Sequence, residues 1–181
     1  IMQAMFTTAT SFNQNLNSWD VSSVTNFNYM FQNAYNFNGN ISNWTISSSP
    51  TTMTGMFYGS GGPIVFNQNI GGWNVGSVTN MSGMFAVSSA FNQNINSWDV
   101  SNVTNMASMF NSASSFNQSL NNWCVSSIAN EPENFAYESS LEVENKPNWG
   151  SCPENPIAFD INRRWDWSIL AAKAQAHSSY N

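Results

Sequence analysis

Residues 95–116 read INSWDVSNVTNMASMFNSASSF, and this pattern occurs five times along the chain. A Met-Phe pair falls at Met5-Phe6, Met30-Phe31, Met56-Phe57, Met84-Phe85 and Met109-Phe110, at intervals of 25, 26, 28 and 25 residues. A tryptophan falls at Trp19, Trp44, Trp73, Trp98 and Trp123, and a Phe-Asn dipeptide starts at Phe12, Phe37, Phe66, Phe91 and Phe116. A fixed period of this length implies a stack of repeats, each burying its apolar face against its neighbours. The two longer intervals have local causes. Ser47-Ser48-Ser49-Pro50 adds one residue, and Gly59–Pro63 adds three. Gly-, Pro- and Ser-rich insertions of this kind are expected to bulge out as loops.

Two sub-patterns lie within each unit. The first is Met81, Met84, Phe85, Ser88, repeated as Phe27, Met30, Phe31, Ala34 and as Met106, Met109, Phe110, Ala113. The spacing i, i+3, i+4, i+7 predicts the buried stripe of a short helix. Thr25, Thr79 and Thr104, two residues upstream, are its expected N-caps. The second is Ile95-x-x-Trp98-x-Val100, whose alternation with polar residues predicts one short strand per coil. In that arrangement the polar neighbours point outward in columns. Asp20, Ser22, Thr45, Asn74, Ser97, Asp99 and Ser101 then form a candidate binding face.

The spacing apolar-x-x-apolar-x-apolar is close to the leucine-rich-repeat signature. The whole unit, with Val-Thr-Asn-Met, Met-Phe, Phe-Asn-Gln and Trp-Asp-Val-Ser, resembles the 25/26-residue repeat of BspA-like bacterial surface proteins over roughly residues 1–150. The resemblance implies a secreted or surface-displayed, non-enzymatic repeat protein, with no shared catalytic residues to carry over. The expected fold is an α/β repeat solenoid of leucine-rich-repeat type. Each coil of about 25 residues carries one short parallel strand and one short helix, and five coils are followed by a degenerate capping coil. Residues 1–130 form the repeats, 131–152 the cap, and 153–181 a C-terminal arm.

Composition narrows the function. The 181 residues include 8 Trp, 13 Phe and 9 Met, enough for a sizeable core. Each such side chain contributes roughly 1.5–3 kcal/mol when fully buried. Only 8% of residues are charged, and the net charge is −6. Residues 1–130 contain Asp20 and Asp99 and no Lys or Arg. So few cations argue against nucleic acid, whose phosphates need several Lys or Arg. No apolar run is long enough to span a membrane, and no signal peptide is recognisable. The chain opens inside a repeat, so the expectation is that a longer precursor was cut or that earlier repeats precede it.

Repetition decays after Trp123. Phe135 lies 25 residues beyond Phe110, Leu141 25 beyond Phe116, and Trp149 26 beyond Trp123. The acids of residues 131–154 would face outward and stop further stacking. Cys124 and Cys152 sit one coil apart, so stacking predicts a disulfide and an oxidising compartment; two buried free thiols are the alternative. A two-Cys metal site lacks further ligands, so no metal or cofactor is expected. In the arm, Arg163, Arg164, Trp165, Trp167, Ile169 and Leu170 are candidates for docking into a partner, or for a short helix folded over the last coil.

The Trp column reads as core, with a sugar-stacking platform as the alternative. The Asn column (Asn13, Asn38, Asn67, Asn92, Asn117) reads as coil-to-coil hydrogen bonding. Asp20 and Asp99 are three coils apart, too far at about 4.8 Å per coil for the carboxylate pair of a glycosidase. The expected function is a non-catalytic structural or adhesive module at a cell or virion surface. Its partners are other protein subunits or glycans, with assembly through the C-terminal arm. The alternative is a dedicated polysaccharide- or ice-binding protein.

Overall fold

The computed structural model describes residues 1–49 and 51–153. Among these there is no α-helix. Two short strands, β1 (Thr51–Thr52) and β2 (Val78–Asn80), pair in parallel, and Val143–Asn145 make a single 3-10 turn. The expected α/β solenoid of leucine-rich-repeat type, with a helix and a strand in each of five coils, is therefore incorrect. The expected arm helix in residues 153–181 falls on positions that, Pro153 apart, lie outside the described residues.

The backbone explains why the Met-Phe segment is not helical. It enters the left-handed region at every fourth residue: Tyr29 (φ 58°) and Asn33 (56°), Gly83 (60°) and Val87 (61°), Ser108 (56°) and Ser112 (55°). A right-handed helix cannot pass through such residues. The N–H groups of Met30, Gln32 and Ala34 instead donate three residues back, to the carbonyls of Phe27, Tyr29 and Phe31. Those in between, on Tyr29, Phe31 and Asn33, point sideways and donate to Thr54, Met56 and Tyr58 of the next coil at 2.8–2.9 Å. The segment is thus a pair of four-residue turns, each reading apolar, polar, left-handed, apolar. That unit buries its first and last residues, which yields the i, i+3, i+4, i+7 stripe without a helix. Phe27, Met30, Phe31 and Ala34 are all fully buried.

The Trp-x-Val segment is also turned rather than extended. Trp98 donates its N–H to the Ile95 carbonyl at 3.1 Å, and Val103 to the Val100 carbonyl at 2.9 Å. The parallel pairing falls instead on the Val-Thr-Asn segment. There β1 meets β2, with single bridges at Asn26–Thr52 and Asn80–Asn105. Its β-branched residues suit extended backbone. The threonines expected as helix caps bond from coil to coil: the Thr79 and Thr104 hydroxyls donate to the Thr51 and Thr79 carbonyls, each at 3.3 Å.

Successive repeats lie on one another through these lateral bonds and through three columns of aromatic rings. In one column Phe6, Phe31, Phe57, Phe85 and Phe110 follow at 5.3–5.7 Å with rings within 8° of parallel. Phe12, Phe37, Phe66, Phe91 and Phe116 form the second, each stacked at 3.9–4.2 Å on the first-column ring of its own coil. Trp44, Trp73, Trp98 and Trp123 form the third at 6.0–6.5 Å. Each such pair contributes about 0.5–1.5 kcal/mol beyond its buried area. All four of these tryptophans are at most 3% exposed. Their indole N–H groups donate to Leu16, Ile41, Ile70 and Ile95 carbonyls one coil back. The buried polar atom is thus satisfied in each of these four tryptophans.

The columns stop in residues 131–153. The Phe110 N–H donates to Phe135, as Phe85 does to Met109. Phe135 therefore occupies the methionine position, one residue off the register expected from its spacing, and Ala136 stands where a phenylalanine would. Leu141 follows Phe116, since the N–H of Glu142 bonds the Asn117 side chain as Asn117 bonds Asn92. Phe135 meets Phe110 edge-on at 88°, and Trp149 meets Phe135 edge-on at 85°.

Candidate functional site

The face read from the sequence is solvent-facing. Asp20, Ser22, Thr45, Asn74, Ser97 and Asp99 are exposed, and Ser101 is half-buried. Much of its hydrogen-bonding capacity is already committed to the chain's own turns. Asp20 accepts from the Ser22 N–H at 3.0 Å and its hydroxyl at 2.6 Å, and Asp99 accepts likewise from Ser101. Asn74 accepts from the Gly76 N–H, and the Ser97 hydroxyl donates to the Gly71 carbonyl. Such side-chain turns are the usual work of Asp and Asn between extended segments. The two bonds from Ser22 hold the Asp20 carboxyl below its ordinary value. Two of this set reach concavities: Asn74 lines a shallow groove of about 440 Å³ with Ser47, Ser77, Thr79 and Asn102, and Ser97 lines one of about 490 Å³ with Gly71, Gln93, Asn96 and Asn122.

The Asn column serves the stack. Asn13, Asn38, Asn67 and Asn92 each accept, through Oδ1, the backbone N–H of the corresponding Asn in the next coil at 2.8–3.1 Å. Gln68, Gln93 and Gln118 add a side-chain donor to Asn38, Asn67 and Asn92. Cys124 and Cys152 are joined in a disulfide, which ties residues 131–153 to the fifth coil. Arg163, Arg164, Trp165, Trp167, Ile169 and Leu170 lie outside the described residues.

A third groove, of about 550 Å³, was missed by the sequence reading. It lies on the Met-Phe turns, where Tyr29, Gly55, Gly83 and Ser108 succeed one another at the same left-handed position. Glycine at two successive coils lowers the floor. A Cβ on Gly55 would come within 2.6 Å of two Tyr29 ring carbons, while Gly83 faces open space. Tyr29 stands at one end, Tyr58 and Val87 at the side, and Asn105 and Asn111 complete the lining. No charged side chain lines it. The signal was available, because Tyr29 and Tyr58 replace small or amide residues of the other repeats and so depart from the pattern.

A family described as "Mycoplasma protein of unknown function, DUF285" matches residues 1–63 and 51–149. The chain belongs to the DUF285 family. No curated protein and no solved structure matches it. The DUF285 match takes in every aromatic column and all three grooves. It is compatible with the surface-repeat resemblance seen in the sequence. Among the described residues, no helix of this DUF285 chain is long and apolar enough to cross a membrane.

Proposed function

We propose that the chain is a non-catalytic module displayed outside the cell or on a virion, making contacts with glycans or other proteins. The observation that carries this reading is the uncharged groove between Tyr29 and Asn111. Its tyrosine rings offer apolar faces, and Thr54, Ser82 and the asparagines offer hydroxyls and amides. This is the mixture that a neutral sugar needs, with a ring face to stack on and a rim of neutral donors and acceptors, partly through water. The disulfide supports an oxidising compartment, and the family supports a surface role.

A glycan array probed with the wild-type chain, Tyr29→Ala and Tyr58→Ala tests this. The expected result is retention of a neutral glycan that both variants lose by about tenfold or more, the scale of a hot-spot aromatic. Wild-type-like retention by both variants, or absence of neutral glycans among the hits, would remove the groove from the account. Release of new reducing ends from a bound polysaccharide would overturn the non-catalytic reading.

A further inference from the structure

The groove on the Met-Phe turns contains a position that the chain fills in one coil and leaves empty in the next. The Tyr29 side chain lies along the stack, over the glycine at the same turn position of the following coil. A Cβ on Gly55 would stand 2.6 Å from both Cδ1 and Cε1 of that ring. Gly83 is the glycine one coil further on, and a Cβ there would meet nothing within 4 Å. The residue that would cover Gly83 by the same route is Gly55, which has no side chain. The turn alone does not demand glycine at this position, since Tyr29 and Ser108 hold φ 58° and 56° at the equivalent places.

The amides in the groove wall are used on one side only. The Asn105 Oδ1 accepts the Ala107 N–H at 3.0 Å, and the Asn111 Oδ1 accepts the Ser112 hydroxyl at 2.8 Å. Their Nδ2 groups have no acceptor among the described residues. Amide N–H groups are neutral donors and suit hydroxyl and ring oxygens. Residues 1–130 hold no Lys or Arg with which to bind an anion.

We infer, resting on the glycan reading of this groove, that Gly83 is the floor of a subsite for one pyranose ring of a neutral glycan and the residue that decides which ligands the groove admits. The Tyr29 ring over Gly55 shows that a six-membered ring fits on a glycine floor of these turns. A pyranose over Gly83 takes the place that a second such ring would have. The Tyr29 and Tyr58 rings offer apolar faces to its C–H groups, and the Asn105 and Asn111 amides donate to its oxygens. Any side chain at position 83 competes for that space.

The test is an NMR titration of the full chain with glucose-, galactose- and mannose-based sugars, from mono- to tetrasaccharides, and with oligogalacturonate as the anionic counterpart. Intermolecular NOEs from the Gly83 Hα protons to ring protons of a neutral sugar are expected. Affinity should fall by about tenfold or more in Gly83→Asn. Asparagine holds this backbone at Asn33 (φ 56°), so that variant keeps the turn while filling the space. Gly83→Ala, which adds one carbon, should lose less, and Gly72→Asn, at a glycine outside this groove, should bind as the wild type does. Binding that Tyr29→Ala and Tyr58→Ala weaken but Gly83→Asn leaves intact, with NOEs to the tyrosines alone, would overturn the subsite while the wider groove reading stood. Preference for oligogalacturonate would overturn the neutral class. No NOE from any sugar to any groove residue would remove the subsite and the groove reading together.

Discussion

The two ends of the stack treat the same aromatic columns in opposite ways. At the amino-terminal end Phe6 and Phe12 keep the flat geometry of the interior and leave their outer surfaces half-exposed. At the other end the columns are ended by substitution: Ala136 and Leu141 take the phenylalanine positions, Phe135 turns edge-on, and a disulfide holds the last coil down. The difference teaches that termination here is a matter of particular side chains.

The largest effect expected separates interior from end. Phe85 is fully buried between Phe57 and Phe110. Phe85→Ala should cost about 3–5 kcal/mol in denaturant unfolding, whereas Phe12→Ala, at a half-buried ring, should cost about 1–2 kcal/mol. Equal losses would erase the distinction between a closed and an open column. Next is the covalent tie. Cys124→Ser with Cys152→Ser should cost about 3–4 kcal/mol and raise amide exchange in residues 131–153, leaving the first coil unchanged. Uniform loosening of both ends would show that the disulfide does more than hold the last coil.

A smaller effect probes the turn that both ends share. Val87 holds φ 61°, which a β-branched residue rarely adopts. Gly83, four residues earlier, holds 60° without that cost. Val87→Gly should stabilise the chain by up to about 1 kcal/mol, the relief of strain outweighing the greater freedom of glycine when unfolded. Gly83→Val should destabilise it by a similar amount. Reversal of the two signs would mean that the left-handed turns are not those of the folded chain.

These turns mark the limit of what the residues alone conveyed. From the second coil on, the repeat positions of Met, Phe and Trp picked out side chains that are buried, because burial follows the apolar pattern. The same pattern could not distinguish a helix from tandem four-residue turns, since both bury i, i+3, i+4 and i+7. Gly55 and Gly83, at the same position of successive coils, and Asn33 were the residues that spoke for left-handed backbone. The strand was misplaced for a similar reason. Trp98 and Val100 alternate with polar residues, but turns at Ile95–Trp98 and Val100–Val103 produce that alternation too. The groove on the Met-Phe turns depends on two tyrosines that depart from the repeat, and a reading built on what repeats passes over them.

The smallest effect concerns the exposed first coil. The Asp20 carboxyl sits below its ordinary value because Ser22 bonds its charged form. Its contribution is present above the unfolded value and lost as pH falls through the lower folded one. With Asp20 open to water, stability should change little. The Asp20 midpoint followed by NMR should rise in Ser22→Ala, and an unmoved midpoint would separate the shift from that bond.

The account turns on lateral hydrogen bonds between tandem turns, and through-hydrogen-bond NMR couplings read them directly. It predicts couplings from the N–H of Phe31 to the carbonyl carbon of Met56, of Phe57 to Met84, and of Phe85 to Met109. Couplings from Phe31 to Phe27 and from Phe85 to Met81, the four-residue bonds of a helix, would contradict it.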